Sequence, residues 1–344
     1  MTTDPTEQLI RSALHAEADR RPDPRVVLAG LRQAQPRRSR TPLLVVAAAA
    51  VVAVAVAAVL VPRMLQRSAP VVGTAPATDQ TVLLAGLDDH DTTDSVVLGR
   101  FGRDGTAALA SIPRDSLVDI PGFGQGKLNS AYSRGKEAAQ QQGRDENAAA
   151  EAGARTLVDT VQQLTGTHVD HYAVVGMAAF GQLAHVLQGV PVCLRAATHD
   201  SRAGASFPAG EQVLDETKAL AFLRQRTGLP NGDLDRIARL QAYLRSAANE
   251  VIGGGRLADP AFVSALISTV QRNVRTDPGW DLLSFAALVR DTRPADLRIG
   301  TVPITGSDLD TPYGAVIGLA PGEVRTFVAD LPHSGTSAPD SCVN

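Results

Sequence analysis

Residues 43–61 read LLVVAAAAVVAVAVAAVLV, a run with no charge and no strong hydrogen-bonding side chain. At 1.5 Å per residue such a run makes a helix of about 28 Å, close to the hydrocarbon thickness of a bilayer. A helix half-buried in a soluble core would carry a polar face, and this one has none. A signal peptide has a shorter apolar core nearer its N-terminus, and Ala75-Pro76-Ala77 is a poor cleavage site because of its proline. A retained transmembrane helix is therefore expected. Arg32, Arg37, Arg38 and Arg40 precede the run, and only Arg63 and Arg67 follow closely. The heavier basic side stays in the cytoplasm, which predicts a cytoplasmic N-terminus and an extracytoplasmic remainder in the cell membrane.

The chain then divides into a cytoplasmic tail over 1–42, the membrane helix over 43–61, a linker over 62–80, and an exported domain from 81 onward. Hydrophobic residues at 44% and charged residues at 20% suit a packed domain rather than a disordered one. A formal net charge of -3 argues against a general nucleic-acid binder, so no nucleic-acid partner is expected. Two cysteines, Cys193 and Cys342, cannot by themselves build a structural zinc site. They are either two free thiols or, in an exported domain, one disulfide pinning the C-terminal tail; the expected compartment favours the disulfide.

Short β-prone runs at 81–85 (TVLLA), 95–101 (SVVLGRF) and 107–112 (AALASI) are separated by Asp and Gly clusters, as in adjacent strands of one sheet. Helical spacing follows over 136–164, then a strand at 171–175, a helix at 177–187 and a strand at 190–194. Helices are predicted at 214–225, 234–251, 260–274 and 280–289, with a late strand at 297–303. The mixture predicts an α/β sandwich: a mixed central sheet with helices on both faces, preceded by the transmembrane helix.

Two charged groups are candidates for chemistry. Asp88, Asp89, Asp91 and Asp94 lie between the first two strands. Such aspartates serve as ordinary turn formers, and at strand ends they also hold a divalent cation when a phosphate supplies further oxygens. Arg114 follows a strand, Lys127 sits in a Gly-Lys-Leu-Asn turn, and Arg224, Arg226, Arg236 and Arg239 come later. Arginine forks suit phosphate oxygens, although solvated charges or structural ion pairs use the same residues. No nucleophile elbow, Walker A loop, HExxH or CxxC occurs. His168 and His171 read as packing or turn residues rather than a metal site.

Several motifs together resemble the LytR-CpsA-Psr family. They are Gly86 and Asp88 after the first strand, Asp94-Ser95 opening the second, SIPRDS at 111–116 and KLNSAY at 127–132. LTGTHVDHYAVV at 164–175, GVPV at 189–192 and ALAFLRQRTGLPNGDLDRIARLQ at 219–241 continue the likeness, in the style of high-GC Gram-positive bacteria. The resemblance covers roughly 81–251, and places the catalytic domain at 81–255. Residues 256–344 are expected to complete the exported domain and end in a flexible tail.

The resemblance implies a phosphotransferase that moves a polyprenyl-pyrophosphate-linked glycopolymer onto peptidoglycan as a phosphodiester. Its pyrophosphate would be held by Arg114, Lys127, Arg224, Arg226, Arg236 and Arg239 with Gln241. Asp88 and Asp94 would bind Mg²⁺. Asp233 would orient the arginines or assist the chemistry, with Arg114 and Arg236 at the reacting phosphate. Three positions depart from the family pattern: Leu240 replaces the first of two glutamines, Asp89-His90 replaces serine-arginine, and Val175-Gly176-Met177 lacks an acid or amide. A second expectation is a catalytically weak lipid-pyrophosphate binder that regulates envelope assembly.

Overall fold

The computed structural model describes residues 76–176, 178–225, 227–250, 274–289, 297–333 and 342–344, with Phe262, Thr269 and Thr292 besides. The expected tail, membrane helix and most of the linker lie outside these residues, as do Arg226 and most of the helix expected over 260–274. Among the described residues no helix is long and apolar enough to cross a membrane.

Strands β1 (Gln80–Leu87), β2 (Thr93–Phe101) and β3 (Ala107–Ile112) form an antiparallel meander, with Leu83 opposite Leu98 and Leu98 opposite Ala110. Strand β6 (His171–Gly176) adds parallel to β1, and β12 (Leu297–Thr301) adds parallel to β3. Strand β11 (Val274–Thr276) closes the other edge antiparallel to β6, giving the order β11-β6-β1-β2-β3-β12.

Side chains alternate across this sheet, so each strand feeds two cores. Val82, Val97, Leu109 and Ala173 enter one layer. It is completed by α3 (Ala178–Val186), α4 (Glu216–Arg224), α5 (Asp233–Ala248) and α6 (Leu282–Val289). Leu83, Ala85, Val96, Leu98 and Ala110 enter the other, which packs on α1 (Ala131–Gln141), α2 (Glu146–Thr165) and α7 (Pro321–Asp330). The mixed sheet with helices on both faces agrees with the sequence expectation.

Some details differ from it. The single helix expected over 136–164 is two, because Gly143 turns left-handed at φ +78° and Asp145 caps α2 by accepting from Ala148 N at 2.9 Å. Residues 190–194 do form a strand, β7 (Val190–Leu194), but it pairs with β10 (Gly210–Leu214) outside the central sheet. The helix expected from 214 starts at Glu216, since Leu214 ends β10 and Asp215 caps α4 through Lys218 N at 2.9 Å.

The tail is fastened here. Cys342 is disulfide-bonded to Cys193, and Val343 lies parallel beside Leu194. Val343 N donates to Cys193 O at 2.9 Å, and Arg195 N donates to Val343 O at 2.8 Å. Residues 342–344 are thus an added edge on β7, where the sequence suggested a flexible tail.

Strands β1, β3, β6 and β12 all point the same way, and β2 starts at the end where they finish. In open α/β sheets that carboxyl end is where loops and helix N-termini converge on ligands.

Candidate active site

Strand register brings the first pair together. Val96 pairs with Ile112; two residues further out along both strands, Asp94 meets Arg114. Asp94 Oδ1 accepts from Arg114 Nη1 in a short hydrogen bond. Helix α5 supplies the second pair from its first turn. Asp233 and Arg236 are three apart and share a face, with Arg236 Nε at 3.1 Å from Asp233 Oδ1. The two pairs interlock: Arg236 Nη1 is 3.3 Å from Asp94 Oδ1, and Arg114 Nε is 3.3 Å from Asp233 Oδ1. Arg236 Nη2 also donates to the Asp94 backbone carbonyl.

Lys127 joins from β5 (Gly124–Lys127), which pairs with β4 (Leu117–Ile120) immediately after the Arg114 turn. Its Nζ lies 3.2 Å from Asp115 Oδ1, while Asp115 Oδ2 lies 3.5 Å from Arg114 Nε. Asp115 thus ties Lys127 to Arg114. The sequence reading passed over it, although it stands next to Arg114 in the same motif.

Arg236 is 5% exposed and Asp94 8%, so these charges interact where water screens them poorly. Burial alone would lower the Arg114 pKa, but the carboxylates of Asp94, Asp115 and Asp233 outweigh it and hold the group above its ordinary value. Arg114 is a permanent cation. Asp233 Oδ2 is buried and accepts no hydrogen bond among the described residues.

A cleft of about 400 Å³ opens beside this cluster, lined by Asp88, Asp89, His90, Asp94, Asp200 and Arg224 with their neighbours. Arg224 reaches it from the end of α4 and pairs loosely with Asp89 at 3.8 Å. Asp88 builds the turn between β1 and β2: its Oδ1 accepts from His90 N at 2.8 Å and Thr92 N at 2.9 Å. Among the described residues no three His, Cys, Asp or Glu side chains converge as a metal cage. Asp88 and Asp94 nevertheless line one cleft, and Mg²⁺ commonly takes one or two carboxylates with phosphate oxygens completing its shell. The pair fits Mg²⁺ that arrives with a phosphate, not Mg²⁺ alone.

Two expected ligands go elsewhere. Arg239 is fully buried, and its donors are spent on Gln225, Thr198, Phe222 and Asn344. Four of its five N–H groups are thus committed and no solvent reaches it, which sets it apart from the cluster of Arg114 and Arg236. Gln241 Nε2 donates to Ser111 Oγ at 2.9 Å and Thr301 Oγ1 at 3.0 Å, bracing α5 on β3 and β12. Its amide nitrogen is thereby committed to the sheet. Arg226 lies outside the described residues. His171 packs as expected: its ring stacks on Trp280 with centroids 4.8 Å apart, and Nδ1 is 2.9 Å from Asp277.

The model of the LytR_cpsA_psr family matches residues 62–318, three quarters of the chain. The chain belongs to this family. Among curated LytR-CpsA-Psr proteins it is 38% identical over 270 residues to the cell wall biosynthesis protein LcpA of Corynebacterium glutamicum, covering 75% of this chain and 52% of LcpA. It is 29% identical over 217 residues to the polyisoprenyl-teichoic acid–peptidoglycan teichoic acid transferase TagU of Enterococcus faecalis, covering 60% of this chain and 64% of TagU. The chain thus spans about half the length of LcpA. The crystal structure of Bacillus subtilis TagV matches with a TM-score of 0.59 at 21% identity, over 74% of this chain and 96% of that one, a likeness of fold.

Proposed function

We propose that this LytR-CpsA-Psr protein is a membrane-anchored, extracytoplasmic phosphotransferase that moves a glycopolymer from a polyprenyl pyrophosphate carrier onto peptidoglycan. The observation that carries the reading is the interlocked cluster of Arg114, Arg236, Asp94 and Asp233 at the carboxyl end of the sheet. TagU's own name describes transfer of polyisoprenyl-linked teichoic acid to peptidoglycan, which supports the reading. The anchor rests on the uncharged run at 43–61.

An acceptor hydroxyl attacks the glycan-linked phosphorus, and the bond from that phosphorus to the bridging oxygen breaks. The glycan keeps its phosphate as a phosphodiester, and polyprenyl phosphate leaves with the bridging oxygen. Asp233 Oδ2, lacking a hydrogen-bond partner among the described residues, is the acceptor for the hydroxyl proton. Arg114, Arg236 and Lys127 face the charge that develops on the phosphoryl and leaving oxygens. Arg224 binds from the opposite side of the cleft.

Among the described residues Arg114, Arg236 and Lys127 pair with Asp94, Asp115 and Asp233. A pyrophosphate brings further negative charge to these carboxylates, so a cation accompanying it is favoured. Mg²⁺ on Asp88 and Asp94 would supply that neutralisation and polarise the phosphoryl oxygens.

Leu240 favours a second reading, a binder without turnover. It is buried and borders the small pocket beside Arg114 and Arg236, placing an apolar wall against the guanidinium groups. The test supplies the purified chain with a polyprenyl-pyrophosphate-linked saccharide and peptidoglycan, with and without Mg²⁺, beside Arg114→Ala. Release of polyprenyl phosphate, lost in the variant, supports transfer. Tight binding without release favours the binder, and no binding overturns both.

A further inference from the structure

Arg236 and Arg239 stand one turn apart on α5 yet do opposite things. Arg239 is 0% exposed, and its guanidinium is held by hydrogen bonds to four other residues. Burying a cation is costly unless its N–H groups are all satisfied. Nη1 donates to Gln225 Oε1 at 2.7 Å and to Phe222 O at 3.5 Å, and Nη2 to Thr198 Oγ1 at 3.0 Å. Nε donates to the backbone oxygen of Asn344, and the guanidinium carbon sits 4.7 Å from the Phe222 ring centroid. Burial lowers the Arg239 pKa to about 10, with Asp235 pulling the other way.

The acceptors belong to the segments that carry the site. Phe222 and Gln225 flank Arg224, and Gln225 Nε2 donates onward to Thr227 O at 3.0 Å. Thr227 N in turn donates to Asp200 Oδ2 at 2.9 Å. Phe222, Gln225 and Thr227 are thereby bolted to α5 one turn beyond Arg236. The C-terminal segment holds the other side of that turn. Asn344 Nδ2 donates to Asp235 Oδ1 at 3.2 Å, and Asp235 also accepts from Asn231 N at 2.8 Å, fixing the turn that delivers Asp233. The Cys193–Cys342 disulfide holds that segment in place.

We propose that Arg239 is a positioning residue that locks the Arg224 segment to the Arg236 helix, with the disulfide-tethered segment 342–344 completing its clamp. The inference rests on the phosphate-binding reading for its consequence, but not for its geometry. Arginine suits the post because its rigid fork serves several acceptors at once, whereas lysine presents one point of charge.

The test compares wild type with Arg239→Lys, Gln225→Ala and Cys342→Ser in the purified full chain. It reads amide hydrogen exchange over 222–236 and affinity for inorganic pyrophosphate. Arg239→Lys should lose protection over 222–236 while α1 and α2 keep theirs, and should bind pyrophosphate about tenfold more weakly, in line with losing hydrogen bonds to a charged group. With Arg224→Ala and Arg236→Ala already present, Arg239→Lys should change pyrophosphate affinity no further, because it acts through them. Wild-type protection over 222–236 in folded Arg239→Lys overturns the clamp, as does unchanged pyrophosphate affinity.

Should Arg239→Lys fail to fold, Gln225→Ala and Cys342→Ser decide in the same terms. Weaker protection and weaker binding support the clamp, and wild-type values overturn it. If wild type itself does not bind pyrophosphate, the phosphate reading falls separately. Exchange alone then decides, lost protection confined to 222–236 supporting the clamp and its absence overturning it.

Discussion

The two faces of the central sheet are built to different rules. Against α1, α2 and α7 the core is apolar, and its buried Thr160 and Thr165 hydroxyls donate to carbonyls of their own helix. There Gly135 and Gly153 let α1 and α2 approach until an added Cβ would lie 2.2 Å from Thr156 Oγ1 or 2.7 Å from Tyr132 O. The other face holds Arg236, Arg239, Asp200, Asp235 and Gln225, all buried and all hydrogen-bonded or ion-paired. One face is ordered by apolar shape, the other by an apolar core with a buried polar network added to it. A polar network tolerates less change, since each orphaned partner carries a desolvation cost.

Substitutions can break that contrast. Replacing Arg236 with Met should lower transfer by about 10² to 10³-fold, the usual cost of losing one preorganised donor. Amide exchange in α1 and α2 should stay as in wild type; if it rises, the two faces are not separate units. Removing the disulfide by Cys342→Ser should lower unfolding free energy by about 3 kcal/mol, in the range for native bridges. Denaturant titration measures it, and mass spectrometry of the unreduced chain should find a Cys193–Cys342 linked peptide. Free thiols alone would contradict the pairing.

Gly153→Ala tests the shape-built face. Overpacking it against Tyr132 O should cost about 1–3 kcal/mol while leaving pyrophosphate affinity unchanged. A weakened affinity would show that packing on this face reaches the site. Alkali tests both faces at once. Burial pushes the Tyr172 phenol up to about 12, and burial also raises Tyr243 on the opposite face. A raised pKa means the fold prefers the neutral phenol. That stability is complete below about pH 10, where unfolded tyrosine titrates, and is lost as pH rises through 12. The slope should reach up to about 1.4 kcal/mol per pH unit per tyrosine, flattened by Tyr172→Phe.

Much of this was legible in the chain. Strands β1 to β3 announced themselves because alternate residues feed two cores, making continuous apolar runs between Asp and Gly turns. Arg114, Asp94, Asp233 and Arg236 converge because strand register and helix spacing are properties of local sequence. Arg239 is buried for a physical reason. Its spacing from Arg236 is that of a second ligand, and only the position of Gln225 and Asn344 turns it inward. Asp115 had only its place beside Arg114 to mark it, and Gln225 gave no signal because Thr198 and Arg239 are remote in sequence. Strands β8 (Thr198–Asp200) and β9 (Ala205–Phe207) are too short to show a period, and β13 (Gly306–Thr311) is mostly exposed and polar.

Both edges of the sheet come late in the chain, β11 at Val274–Thr276 and β12 at Leu297–Thr301, and the last acceptor for Arg239 is Asn344. A ribosome delivers β1, β2 and β3 first, and they can pair at once as a local meander. The parallel partners must wait for long loops to close, which makes this a topology of high contact order and slow assembly. The arginines of α5 therefore reach their final geometry only after nearly the whole chain has emerged. A half-made chain therefore holds the β1–β3 meander long before the hydrogen bonds around Arg239 are complete.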